Sequence, residues 1–197
     1  MNHSLQCRCG ALAGLISEPR KGSRGVCYCN DCQAYAHHLG RSDAVLDNMG
    51  GTDVVATLPK YVRFTRGADA LACLSLTDRG LLRWYASCCD TPIGNTMRTF
   101  RMPYVGLLHT CLGTPDAIEA SFGPVRMRVN TKSAKKSQPE AMPLSQTAAL
   151  IRFLPTVLLA RLDGSYKTTP FFAADGTPVV QRKVLSHQEL EAAKNAV

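Results

Sequence analysis

Three thiols within six residues, Cys27-Tyr28-Cys29-Asn30-Asp31-Cys32, constrain this chain more than any other stretch. Side chains two residues apart on a strand point to one face, so Cys27 and Cys29 can aim at a common point. Cys32, three residues on across a turn, can close back on them. A similar pair, Cys7 and Cys9, comes earlier, and a vicinal pair, Cys88-Cys89, comes later. That is how a soft-metal site is assembled. Structural zinc takes four Cys or His ligands in a tetrahedron, whereas catalytic zinc keeps a position open for water or substrate. The inventory fits one of each, about two zinc per chain. Cys27, Cys29 and Cys32 supply three thiolates with no obvious fourth. Cys7 and Cys9 need a second pair, and Cys88 and Cys89 are the remaining clustered thiols.

At 197 residues and 45% hydrophobic content, the chain can bury a core without metal as its sole support. The first residues, Met1-Asn2-His3-Ser4, carry neither a charged start nor an apolar run of the signal-peptide kind. The most apolar stretch, 148–162, is interrupted by Arg152, Pro155 and Arg161 and is too short to span a bilayer comfortably. These features predict a soluble, cytoplasmic protein with no membrane partner. In that compartment nine cysteines, an odd number, favour metal ligands or reduced core thiols over disulfides. Cys73 and Cys111, in apolar runs, read as core residues. The net charge of +8 suits solubility or an anionic ligand. Aromatics are few and not interleaved with basic residues, which argues against a nucleic-acid surface. A homo-oligomer stays open.

The apolar pattern predicts a first strand over 5–16, running through Cys7 and Cys9 with a bulge at Gly10. A second covers 25–29, and Asn30 caps a helix over 31–39 that stops at Gly40. Cys32 then sits in the first turn, where unpaired amides and the helix dipole favour thiolate. His37 and His38 are candidates for a fourth ligand, against the ordinary reading of solvent-facing helix-end histidines. Further strands are predicted over 54–58, 62–65, 71–76, 81–86, 93–97, 104–111 and 125–129. Residues 131–143 read as a surface linker. A helix over 145–162, bent at Pro155, ends at Gly164. Ser186 and Glu189 form a capping-box pattern opening a last helix. The division is a zinc-binding β domain over 1–130 and a basic linker with a partly helical extension over 131–197, packed on the same domain.

Three pieces carry a family resemblance: Leu5-Gln6-Cys7-Arg8-Cys9-Gly10-Ala11-Leu12, Cys27-Tyr28-Cys29-Asn30-Asp31-Cys32, and Tyr85-Ala86-Ser87-Cys88-Cys89-Asp90-Thr91-Pro92. Over roughly residues 5–110 they resemble the glutathione-dependent formaldehyde-activating enzymes and centromere protein V. The resemblance implies a mostly-β fold of the Mss4-like type, with a structural zinc on the outer cysteine pairs. It also implies a second zinc on Cys27, Cys29 and Cys32, the catalytic set, which exchanges with a thiol such as glutathione. The reaction so implied is that of a carbon–sulfur lyase acting on a thiol adduct, S-hydroxymethylglutathione in the type enzyme. Two positions depart from the pattern. Ala86 stands where the family has its third structural cysteine, with Cys88 as the apparent substitute, and Asp90 stands where the family has glycine. Adjacent residues on a strand face opposite ways, so Cys88 and Cys89 can share one ion only where the backbone turns. Tyr28, in place of a histidine, points away from its cysteine neighbours. Arg83 is a candidate carboxylate partner, although a surface position is the ordinary expectation for an arginine. The alternative function is a non-catalytic zinc module that binds protein or nucleic acid.

Overall fold

The computed structural model describes residues 2–135 and 146–197. The fold is mostly β. In chain order the strands are β1 (His3–Gln6), β2 (Ala13–Ile16), β3 (Ser23–Cys27), β4 (Thr52–Thr57), β5 (Val62–Arg66), β6 (Leu71–Ser75), β7 (Leu82–Ala86), β8 (Thr91–Thr96), β9 (Val105–Leu108), β10 (Met127–Val129) and β11 (Arg182–Val184). The helices are α1 (Asn30–His38), α2 (Ser42–Val45), α3 (Pro115–Phe122), α4 (Gln146–Leu162) and α5 (His187–Asn195). Strands β1, β2 and β5 form a small antiparallel sheet. The large sheet runs β10-β3-β4-β9-β8-β7-β6-β11, antiparallel except at its two edges, where β10 and β11 pair parallel to their neighbours.

Alternation along the strands divides the large sheet into two working faces. Leu82, Trp84 and Ala86 of β7 and Val105 and Leu107 of β9 point toward the small sheet, where they bury against Leu5, Leu12, Ile16 and Val62. Phe171 and Phe172 close this core around Trp84, at ring-centroid distances of 5.1 and 6.2 Å. The indole N–H, which must find an acceptor when buried, donates to Thr96 Oγ1 at 2.9 Å. On the opposite face Leu74 and Leu108 pack with Ala34, Tyr35 and Ala36 of α1, Val45 of α2, and Leu185 and Ala193 beside and within α5. Residues 171–193 therefore supply side chains to both cores and a strand to the sheet. Among the described residues no helix is long and apolar enough to cross a membrane.

The first predicted strand is two strands and a loop. At Cys7 the backbone folds over: Gly10 N donates to Cys7 O, Cys7 N to Leu12 O, and Leu12 N to the Cys7 sulfur at 3.3 Å. Gly10 at φ +75°, a conformation open to glycine at little cost, makes the reversal. Cys7 and Cys9 thus sit on a knuckle and not on a strand face. Helix α1 begins one residue early, with Cys29 as its N-cap and Gly40 at φ +62° past its end. Three elements stand outside the predicted set: α2, β11 and α3, the last capped by the Thr114 hydroxyl accepting from Ala117 N. The capping box forms at α5, with Ser186 and Glu189 each bonding the other's backbone N–H. The linker predicted over 131–143 lies outside the described residues from 136 onward.

Candidate metal centres

The β1–β2 knuckle and the hairpin between β7 and β8 meet at four sulfurs. Cys7, Cys9, Cys88 and Cys89 have their Sγ atoms all within 4.8 Å of one another. The contacts are 3.6 Å for Cys7–Cys9, 3.8 Å for Cys7–Cys88, 3.4 Å for Cys9–Cys88 and 3.8 Å for Cys88–Cys89. A tetrahedron of thiolates at the usual zinc–sulfur bond length has edges of about 3.8 Å. A disulfide requires about 2.05 Å, and all nine cysteines are free. The donor set and its spacing fit a tetrahedral thiophilic cation. Vicinal cysteines can join because β7 ends at Ala86 and Asp90 takes the left-handed conformation, φ +53°, so Cys88 and Cys89 lie on the turn between strands. Ala86 itself is fully buried in the core between the sheets.

Within the quartet, Cys89 is poised to give up its proton. Burial opposes ionisation, but the Thr91 hydroxyl at 3.1 Å and bonds from the Cys9 amide and its neighbouring thiols outweigh it, lowering the thiol to about 6. Thr91 Oγ1 also accepts from Arg8 N at 3.0 Å, tying the knuckle to the hairpin a second time.

Cys27, Cys29 and Cys32 form the other group, again with sulfurs within 4.8 Å. Cys27 ends β3, Cys29 caps α1 in an extended conformation and Cys32 lies in the first turn. In the absence of a cation the helix terminus does not make Cys32 a thiolate. The hydrogen bond with Cys27 and then burial push it up to about 11, with Arg83 pulling the other way. A metal must therefore displace protons here, as thiolate sites generally require. Asn130 Nδ2 donates to Cys27 Sγ at 3.4 Å. Tyr28 is turned away and buried, its hydroxyl donating to Asp47 at 3.3 Å. His37 and His38 do not fall within either group among the described residues. His38 feels Glu189 and Lys183 instead, on the α5 side.

The trio opens on a cavity of about 420 Å³ that the quartet does not line. Its floor follows a row of residues paired across five strands: Ser23, Ala56, Asn95 and Arg83 line it, and Gly106, in register between Ala56 and Asn95, lies beneath Tyr104. The small side chains of Ser23 and Ala56 leave room, and the missing side chain of Gly106 lets Tyr104 lie across the row. A Cβ on Gly106 would come within 2.5 Å of the Tyr104 hydroxyl and 2.8 Å of Val54 Cγ1. Phe153 of α4 stands edge-on to Tyr104, 5.9 Å between centroids, and both line the cavity.

Arg83 is the residue that sequence reasoning misplaced. It is 2% exposed, not a surface residue. Its strand position opposite Asn95 puts it on the cavity face, where it stacks 5.0 Å from the Tyr35 ring centroid. All its side-chain polar contacts among the described residues are long: 3.5 Å to Asn95 Oδ1, 3.9 Å to Cys32 Sγ and 3.9 Å to Asp31. A guanidinium with five donors, so deeply buried, is left under-satisfied by such contacts. No spacing signal marked it; only the strand register reveals it. Cys73 and Cys111 are buried in the core between the sheets.

The arrangement defines a β protein with two separated thiol clusters, one closed and one facing a cavity. Residues 2–182 match the family described as "Family of unknown function (DUF6151)", and the chain belongs to it. No curated protein matches. Among solved structures, a crystal structure of a Rhodobacter sphaeroides protein is similar at 17% identity and a TM-score of 0.43, over 64% of this chain and 99% of that one.

Proposed function

We propose that this is a two-zinc protein of the glutathione-dependent formaldehyde-activating type, with an Mss4-like fold, in which Cys27, Cys29 and Cys32 handle a small thiol or thiol adduct. The observation that carries the reading is the contrast at the cavity: the trio lines it and the quartet does not. A zinc ion on three thiolates is a weak Lewis acid whose natural task is to hold a fourth sulfur as thiolate. The protein's own groups then do the rest. Arg83 beside Cys32 offsets the negative charge that gathers when another thiolate arrives. The cavity walls exclude water from the carbon–sulfur bond. The reaction is reversible addition of a thiol to a small aldehyde: the sulfur–carbon bond forms, the carbonyl π bond breaks, and the thiol's proton ends on the new hydroxyl oxygen.

Elemental analysis should find about two zinc per chain; one or none removes the two-site reading. Cobalt-substituted protein titrated with 2-mercaptoethanol or glutathione should change its thiolate-to-metal absorption. Silence to both would favour the non-catalytic zinc module.

A further inference from the structure

The walls of the cavity carry a preference that a peptide-like thiol does not satisfy. Most of its polar side chains form one connected group: Cys27 with Asn130, then the sulfur trio, then Arg83 with Asn95 and Asp31, each step 3.4–3.9 Å where a contact is made outside the sulfurs; the Ser23 and Tyr104 hydroxyls line the cavity apart from it. Beyond these groups the lining is apolar. Val54 and Ala56 of β4, Met127 and Val129 of β10, Leu81 and Phe153 face the space, and Gly25 adds no side chain. The apolar part extends along β3 from Cys27 toward Ser23, four residues or about 13 Å. A glutathione-sized tripeptide would have to strip its amides and second carboxylate of water against these walls, where the described lining offers two hydroxyls, Ser23 and Tyr104, and no cation besides Arg83.

Resting on the open-site reading above, we propose that the ligand is an amphiphilic thiol: sulfur at Cys27, Cys29 and Cys32, a carboxylate on Arg83, and an aliphatic tail over Gly25, Val54 and Ala56. Two observations converge on it. Arg83 is deeply buried, faces the cavity and has no polar partner closer than 3.5 Å among the described residues; Asp31, its one acidic neighbour, is largely exposed and leaves most of its donors free. Ser23 and Ala56, paired across β3 and β4, place small side chains where a tail would lie. A 2-mercaptoalkanoate has this shape, with thiol and carboxylate on adjacent carbons and the chain running away from both.

The experiment is a binding series on cobalt-substituted protein, reading the thiolate-to-metal absorption with 2-mercaptoalkanoates from propionate to octanoate, and with glutathione. Affinity should rise about three- to fourfold per added methylene until the cavity fills. Across the three methylenes from propionate to hexanoate that is about thirty- to sixtyfold. Glutathione should bind more weakly than the hexanoate. Converting the hexanoate to its amide should cost about tenfold, the loss of a charged hydrogen bond to Arg83, and Ala56→Leu should flatten the series. An affinity independent of chain length, or glutathione as the tightest ligand, overturns this proposal while leaving the open metal site standing. No spectral response to any thiol overturns both.

Discussion

The two thiol clusters differ in what the protein would lose with each. The quartet sits where the small sheet meets the large one, joining a knuckle near residue 8 to a hairpin near residue 88, with Cys9 and Cys88 exposed to solvent and none of its four residues lining the cavity. A cation there would close a chain loop of about 80 residues, which is the work of a staple. The trio gathers residues from a single β–α junction, so a cation there would close almost no loop. Its distinction lies in the surroundings: a buried guanidinium, a row of small residues and room for a ligand. Where ligands come from along the chain separates holding a fold from holding a substrate more clearly than ligand number does.

The comparison breaks most visibly by substitution. Cys7→Ser should cost roughly 3–5 kcal/mol and lower the melting temperature by about 10 °C, since it removes the inter-sheet staple. Cys32→Ser should cost no more than about 1 kcal/mol while halving the bound zinc. Equal melting temperatures for the two variants would contradict the division of labour. Acidification tests the next point of comparison. Cys32 is raised to about 11, so its proton must be driven off by metal, and occupancy falls as pH drops. In the quartet the raised thiol is Cys88, pushed up to about 12 chiefly by its bond with Cys9, while Cys89 beside it is lowered to about 6. Each site thus holds a thiol whose proton a cation must displace, and zinc release followed between pH 8 and 5 should empty both; release from one site alone would show that the two are held differently. The smallest effect belongs to Asp90, a non-glycine residue at φ +53°. Asp90→Gly should stabilise by about 0.5–1 kcal/mol, read as a rise of 1–3 °C in melting temperature. A fall would mean the Asp90 side chain itself supports the hairpin.

Much of this was legible in the sequence because it is written in local periodicity. The alternation from Val54 to Ala86 and the turn residues between yield β4 to β7 nearly residue for residue, and the cysteine spacings announce both clusters. What escaped was set by contacts between distant elements. The apolar pattern of Leu5 to Ile16 runs unbroken through Cys7 and Gly10, and the fold-over is made by a sulfur accepting from Leu12 N. Helix α3 did leave a mark, Thr114-Pro115-Asp116, a capping residue followed by proline in the first turn. Arg83 left none. An arginine in an alternating strand looks solvated until Asn95, Gly106 and Ala56 line up beside it, and that line exists only in the assembled sheet.

The two parallel edge strands bear on how the molecule must be made. Every interior pairing of the large sheet joins segments between Ser23 and Leu108, but β10 and β11 come later in the chain and finish the sheet at opposite ends. Each is three residues long and holds little by itself. During synthesis the inner strands therefore emerge first, with β3 and β6 as exposed margins able to pair with other chains. The final residues act as sealing strips, and aggregation risk is greatest in the interval before they arrive.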